Sequence, residues 1–240
     1  MKIVTPPAQI EKQLKREALY GCIICGCPVL EFVYLSKQGS DVFLPENMAA
    51  LCPNHRNNYS NDDLQESHLR AAKNNPYNKN HDLEAFAVHS PDITVNVGKC
   101  KFVNTPRILV VDDFDIISIN RSPDNSKYVL LDVNFFDRIN NLNAVLSENS
   151  WHSERKNLEW TILYEPRHLL IENPSNSLVF DARIDNNTEE ITLLVDGFHY
   201  NASLIKITEK EILVNDEEIA LSIKGTSMKN YEAGIIVQTI

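Results

Sequence analysis

Two kinds of apolar spacing divide the chain. Near its start, Ile10, Leu14 and Ala18 form an i, i+4, i+8 stripe within residues 9–20, QIEKQLKREALY, and lysine and arginine take the other positions. The spacing predicts an amphipathic helix after the Pro6-Pro7 stop, ended by Gly21. A strand is expected over 29–35, followed by a turn-rich loop over 36–46. Residues 61–75 read as a second helix. Ser60-x-x-Asp63 offers a capping box, Pro76 blocks continuation, and Leu64, His68 and Ala71 supply an inward face. Residues 74–82, NNPYNKNHD, are polar and turn-rich and lead toward a linker.

From about Ile93 the period changes. Short apolar runs such as ITVNV, RILVV, YVLLDV, SLVFDARI and AGIIVQT are separated by Asn, Asp, Gly and Pro, with turn signals about every 8–12 residues. That rhythm predicts an all-β sandwich or barrel. A β-solenoid is the alternative, but no internal repeat supports it. The resulting layout is a small module at 1–82, a linker at 83–92 and an all-β domain at 93–240.

Candidate chemistry is concentrated in the first module. Cys22 and Cys25 form one C-x₂-C knuckle, and Cys52 and His55 form a C-x₂-H knuckle. Two such knuckles supply the four ligands of one tetrahedral Zn²⁺, so a structural zinc is expected. Cys27 reads as a spectator thiol. A site in which Cys27 replaces His55 is awkward, because Cys25 and Cys27 are too close in sequence to share one ion easily. Cys100 reads as a buried strand thiol.

Charge narrows the partners. The net charge is −10, yet residues 1–90 carry nine Lys/Arg against ten Asp/Glu, so the acidity lies in the second part. An acidic domain is a poor nucleic-acid surface. Lys37, Arg56 and Arg70 are the candidate phosphate contacts in the neutral part, with solvated surface charge as the plainer reading. No run is long and apolar enough to span a membrane, and the opening residues carry no apolar signal core. Cysteines grouped for metal suit a reducing compartment, so a cytoplasmic protein is expected. In the β domain, Trp151, His152, Trp160 and His168 read as core or surface residues rather than one aromatic site. Asp112, Asp113 and Asp115 read as a solvated turn, since calcium-loop spacing is missing.

The stretch CIICGCPVLEFVYL…ENMAALCPNHR resembles the HNH endonucleases that carry a built-in zinc-knuckle pair, a likeness covering roughly residues 9–80. Asn149-Ser150-Trp151 and Trp160 echo a β-rich C-terminal half found in one bacterial subfamily. The resemblance implies an α+β fold: a zinc-stapled ββα module followed by the all-β domain. It also implies a second, catalytic divalent ion, a general-base histidine and a bacterial or phage defence-related setting.

Carried over position by position, the resemblance splits. Cys22, Cys25, Cys52 and His55 match the structural zinc ligands, and Asn47 matches the middle asparagine. The base position is Tyr34, the adjacent metal-ligand position is Val33, and the later catalytic histidine is Arg56. A phenol is a poor base near neutrality, valine binds no cation, and a guanidinium repels one. The expectation is a pseudo-nuclease that acts as a structural or protein-interaction subunit, with a protein partner or homo-oligomer. An active endonuclease with substitute ligands and a non-catalytic nucleic-acid binder are the alternatives.

Overall fold

The computed structural model describes residues 4–36, 43–153, 159–201, 203–215, 220–223 and 225–238. The chain is α+β and strongly β-rich, and it divides into two compact units. One comprises Met1–Ala87 with Asn149–Trp151, the other Val88–Glu148 with His152–Ile240. The boundary at 87/88 falls inside the stretch expected as a linker.

In the first unit, α1 (Ala8–Glu17) buries Leu14, as its stripe requires. Strands β1 (Glu31–Tyr34) and β2 (Met48–Leu51) pair antiparallel, with Val33 opposite Ala49 and Tyr34 opposite Met48. Helix α2 (Pro53–Ser60) follows β2 directly, with Pro53 in its first turn, where a missing N–H costs nothing. Tyr59 anchors α2 to the hairpin: it is fully buried and its hydroxyl donates to the Leu35 carbonyl.

The second helix begins later than the sequence suggests. Helix α3 spans Glu66–Asn74, capped by Gln65 without a side-chain hydrogen bond. Residues 61–65 instead close α2, since the Asp63 and Leu64 amides donate to the Asn58 carbonyl and Asp62 has φ +70. The expected Ser60–Asp63 capping box therefore does not form, and Ser60 Oγ is buried without a partner among the described residues. The later start rotates the inward face, so Leu69 is buried while His68 and Ala71 are exposed. Residues 74–82 are not a simple lead into a linker: α4 (Tyr77–Asn80) forms there and Asn78 is buried.

The first unit also holds the tripeptide Asn149–Trp151. The Leu30 amide donates to the Asn149 carbonyl at 2.8 Å, and the Trp151 amide returns to the Leu30 carbonyl at 2.7 Å. Ser150 Oγ donates to Glu11 Oε1 on α1 at 2.6 Å.

Among the described residues of the β-rich part, sixteen strands follow. In order they are β3 (Thr94–Val97), β4 (Cys100–Val103), β5 (Arg107–Val111), β6 (Phe114–Arg121), β7 (Val129–Phe136), β8 (Leu142–Ser147) and β9 (Ser150–Ser153). Next come β10 (Thr161–Glu165), β11 (His168–Glu172), β12 (Leu178–Ile184), β13 (Ile191–Tyr200) and β14 (Ser203–Ile207). The last are β15 (Ile212–Asn215), β16 (Ala220–Ile223), β17 (Ser227–Lys229) and β18 (Ala233–Val237).

Six strands form one sheet in the order β18-β5-β6-β7-β8-β9. Ten form another along β10-β11-β12-β13-β14-β15-β16, with β3, β4 and β17 branching from β13. Strand β13 makes this branch by pairing β3 along Ile191–Leu193 and β14 along Val195–Tyr200. Antiparallel pairing of sequence neighbours dominates, while parallel ladders join β3–β13, β4–β17 and β5–β18 and one parallel bridge links Leu30 to Ser150. A solenoid would stack parallel coils throughout. The two sheets meet through aromatic rings: Phe135 of β7 lies edge-to-face with Phe198 of β13 at 5.2 Å and with Phe180 of β12 at 6.3 Å.

Candidate metal centre

The first knuckle is a tight turn between α1 and β1. The Gly26 amide donates to the Cys22 carbonyl and the Cys22 amide to the Cys27 carbonyl, both at 2.8 Å. Gly26 sits at φ +74, where a side chain is strained. Asn78 fills the space against both flanking glycines. A Cβ on Gly21 would come within 2.5 Å of Asn78 Nδ2, and one on Gly26 within 2.4 Å of Asn78 Oδ1. Asn78 Nδ2 also donates to the Leu19 carbonyl at 2.9 Å, and the Tyr77 amide donates to the Ile23 carbonyl at 3.1 Å. Residues 77 and 78 thus form the outer wall of the knuckle.

The second knuckle is made by secondary structure. Cys52 is the N-cap of α2 and His55 lies in its first turn. The Ile23 amide donates to the Ala50 carbonyl, which ties the first knuckle to β2.

These elements bring Cys22, Cys25, Cys52 and His55 together, with all four ligand atoms within 4.8 Å of one another. Cys25 Sγ lies 3.9 Å from Cys52 Sγ, while His55 Nδ1 lies 3.3 Å from Cys52 Sγ and 3.6 Å from Cys22 Sγ. Zinc bonds of about 2.3 Å to sulfur and about 2.0–2.1 Å to nitrogen, at tetrahedral angles, give edges of about 3.8 Å (S···S) and about 3.6 Å (S···N). The donor set therefore has the dimensions of a Cys₃His site. A disulfide would need sulfurs about 2.05 Å apart, and all five cysteines are free.

The electrostatics call for a cation. Hydrogen bonds with Cys22, Cys25 and Cys27 pull the Cys52 thiol far below its ordinary range. Hydrogen bonding to Cys22 and Cys52 pushes Cys25 far above it. Hydrogen bonds to Cys22, then Cys52, push the His55 imidazole up to about 10. Thiols this close cannot all shed their protons unless positive charge sits among them, and a metal ion held by these four residues would supply it. The dipole of α2 adds to the stabilisation of a Cys52 thiolate. Cys27 is not one of the four: it is buried beside Cys52, with its Sγ also 4.0 Å from the Val29 carbonyl. His55, not Cys27, completes the donor set.

The three positions matched to HNH catalysis lie nearby without forming a site. Val33 is fully buried in the hairpin, and Tyr34 is half-buried and stacks on Phe43 at 6.1 Å. Arg56 Nε donates to Glu31 Oε2 at 2.6 Å and its Nη2 to Oε1 at 3.4 Å, and Nη1 donates to Asn57 Oδ1. Glu31 is 3% exposed. Asn47 ends a 3₁₀ turn and receives the Leu35 amide on its carbonyl at 2.8 Å, so its main chain joins the loop to the end of β1.

Of the other candidate phosphate contacts, Arg70 pairs with Glu66 on the exposed face of α3 at 2.8 Å, and Lys37 lies outside the described residues. The β-domain aromatics are separate: Trp160 packs on Phe135 at 5.3 Å, whereas His168 Nε2 lies 3.0 Å from Asp181 Oδ2. Asp112 accepts from Asn201 and Asp115 pairs with Arg107, each at 2.7 Å. Cys100 is buried in β4.

Two residues of the site had escaped sequence reading. Glu31 left one signal, a lone acid inside the apolar run VLEFVYL. Asn78 left none, being one of several polar residues in a turn-rich stretch.

Comparison with protein-family models, with curated proteins and with solved structures found no match to the chain. The functional reading therefore rests on the geometry and on the resemblance in the knuckle sequence.

Proposed function

We propose that the first unit is an HNH-like ββα module that has kept its structural zinc and lost its nuclease chemistry, and that the protein acts as a structural or protein-interaction subunit. In such a module the catalytic ion lies between the first strand and the helix. Here Glu31 of β1 and Arg56 of α2 meet as an ion pair among the described residues. That ion pair carries the reading: a fixed guanidinium in this place repels a divalent cation, and the carboxylate able to attract one is already paired.

The Cys₃His group supports a structural zinc rather than a catalytic one, because its four protein donors fill the tetrahedron and leave no open position. Zinc held this way contributes about 10 kcal/mol or more to folding, which explains why the staple can outlast the chemistry. The neutral charge of residues 1–90 and the acidity of the rest suit a protein partner better than a polynucleotide. A bacterial or phage defence setting and a cytoplasmic location follow from the resemblance and the cysteine usage.

The test is a plasmid-cleavage assay in Mg²⁺ or Mn²⁺, run beside gel retardation at low salt. The expected result is intact supercoiled plasmid and no retarded DNA or RNA. Cleavage that Asn47→Ala and Arg56→Ala abolish would establish the endonuclease reading instead. Salt-dependent retardation without cleavage would favour a nucleic-acid binder.

A further inference from the structure

The two ends of the six-stranded sheet are finished differently. At one end β9 is closed off by Leu30, which bonds through its amide to Asn149 and through its carbonyl to Trp151. At the other end β18 pairs β5 along one side, and no described residue pairs along its other side. The ladder fixes which groups that open side presents. Val237 lies beside Val111 in parallel register, and the Asp112 amide donates to the Val237 carbonyl at 3.0 Å. Backbone groups alternate from one side of a strand to the other. Ala233, Ile235 and Val237 therefore turn theirs toward β5, while Gly234 and Ile236 turn theirs outward.

Nothing in the strand protects this edge. Exposed edges are commonly blocked by lysine, proline, a bulge or a covering segment. The strand reads AGIIV, with no charge and no proline. It runs in step with β5 from Ala233 to Val237. Ile236 is 60% exposed, and Tyr231, just before the strand, is 58% exposed. An open apolar edge of this kind is a template for another strand.

We propose that β18 pairs with β18 of a second copy of this chain, antiparallel across a two-fold axis at Ile235. In that register Gly234 of each copy exchanges both backbone hydrogen bonds with Ile236 of the other, which uses the outward groups found here. The exposed Ile236 side chain then packs across from a glycine. Charge selects this occupant and this direction. A two-fold contact must be self-complementary, and the antiparallel register sets Glu232, 86% exposed, opposite Gln238 of the other copy. A parallel pairing in register would bring the two Glu232 carboxylates together on chains of net charge −10. The uncharged strand offers a charged foreign peptide no ionic partner, whereas an identical strand is as apolar as itself. The contact lies wholly in the β-rich unit, so it goes beyond the reading of the metal module and is independent of it.

A strand pair this short buries less than the ~1,200 Å² of a tight interface, so the dimer should be weak and concentration-dependent. Sedimentation velocity of the full, zinc-loaded chain tests this from about micromolar to about millimolar concentration. A monomer–dimer equilibrium is expected, and added salt should strengthen it, because both copies are acidic. Ile236→Pro removes an outward N–H, and proline is tolerated on the open side of an edge strand. It should weaken the dimer at least about tenfold, since the two-fold axis counts the loss twice, while the melting temperature is retained. Ile236→Glu, at an exposed position, sets a carboxylate diagonal to Glu232 of the other copy and should weaken the dimer as well. It keeps the test decisive should the proline variant fail to fold. A chain that stays monomeric throughout, a dimer that dissociates as salt rises, or one that both substitutions leave unaltered would each overturn the proposal. None of these results bears on the metal module, which plasmid cleavage tests separately.

Discussion

Arg56→Ala is the most informative single substitution, because it asks what now stands where a catalytic ion would lie. It removes the guanidinium that pairs at 2.6 Å with Glu31, a carboxylate 3% exposed. Deleting one member of a buried pair costs about 3–5 kcal/mol. Arg56 itself is 22% exposed, so water reaches the pair from one side. That lowers the expectation to about 2–3 kcal/mol. Arg70→Ala is the internal control: its pair with Glu66 has side chains 45% and 41% exposed and should contribute no more than about 0.5 kcal/mol. Replacing both members, Glu31→Leu with Arg56→Leu, removes the desolvated charge altogether and should lie within about 1 kcal/mol of wild type. Urea unfolding of the zinc-loaded protein, followed by circular dichroism, measures all three differences. Should Arg56→Ala cost no more than Arg70→Ala, the pair is not a fixed internal contact and the argument that it displaces an ion fails.

Three other outcomes are expected. Gly26→Ala places a methyl at φ +74 and within 2.4 Å of Asn78 Oδ1, so zinc affinity in a chelator competition should fall at least about tenfold. Glu190 is held below the ordinary carboxylate range by the hydrogen bond from Asn96, then that from Lys101. Its contribution is therefore complete above the unfolded value of 4.5 and disappears as pH falls through the folded one. Thermal melts of Glu190→Gln should accordingly approach wild type on acidification below about pH 4.5, and a gap that is constant with pH would contradict this. Phe135→Ala empties the ring contact between the sheets and should cost about 3–5 kcal/mol in urea unfolding.

What the sequence disclosed follows from how strongly each element depends on local pattern. Helix α1 was legible from Ile10, Leu14 and Ala18, and so were the long β runs, because each buries one face. Helix α2, PNHRNNYS, was silent to apolar periodicity since Tyr59 is its one buried residue. Its presence displaced the expected start of α3 and turned Leu69, not His68, inward. Strands β8, β9 and β17 are short or polar and are held by their neighbours rather than by a pattern of their own.

At the candidate metal centre the four grouped residues were legible because ligand spacing is a local constraint. Glu31 and Asn78 were not, as their partners Arg56 and Gly26 lie 25 and 52 positions away. The register shifts at Asn143, Val179 and Gly197 were equally hidden, although each lies in a hairpin, because the register of one strand against its neighbour is not written in its own apolar pattern.

The central claim is that the metal holds a shape and performs no reaction. X-ray absorption at the zinc edge of the purified protein tests it most directly. The prediction is one zinc per chain with three sulfur ligands at about 2.3 Å, one nitrogen at about 2.0–2.1 Å and no oxygen. A coordinated water or carboxylate oxygen, or protein that folds fully without the metal, would contradict it.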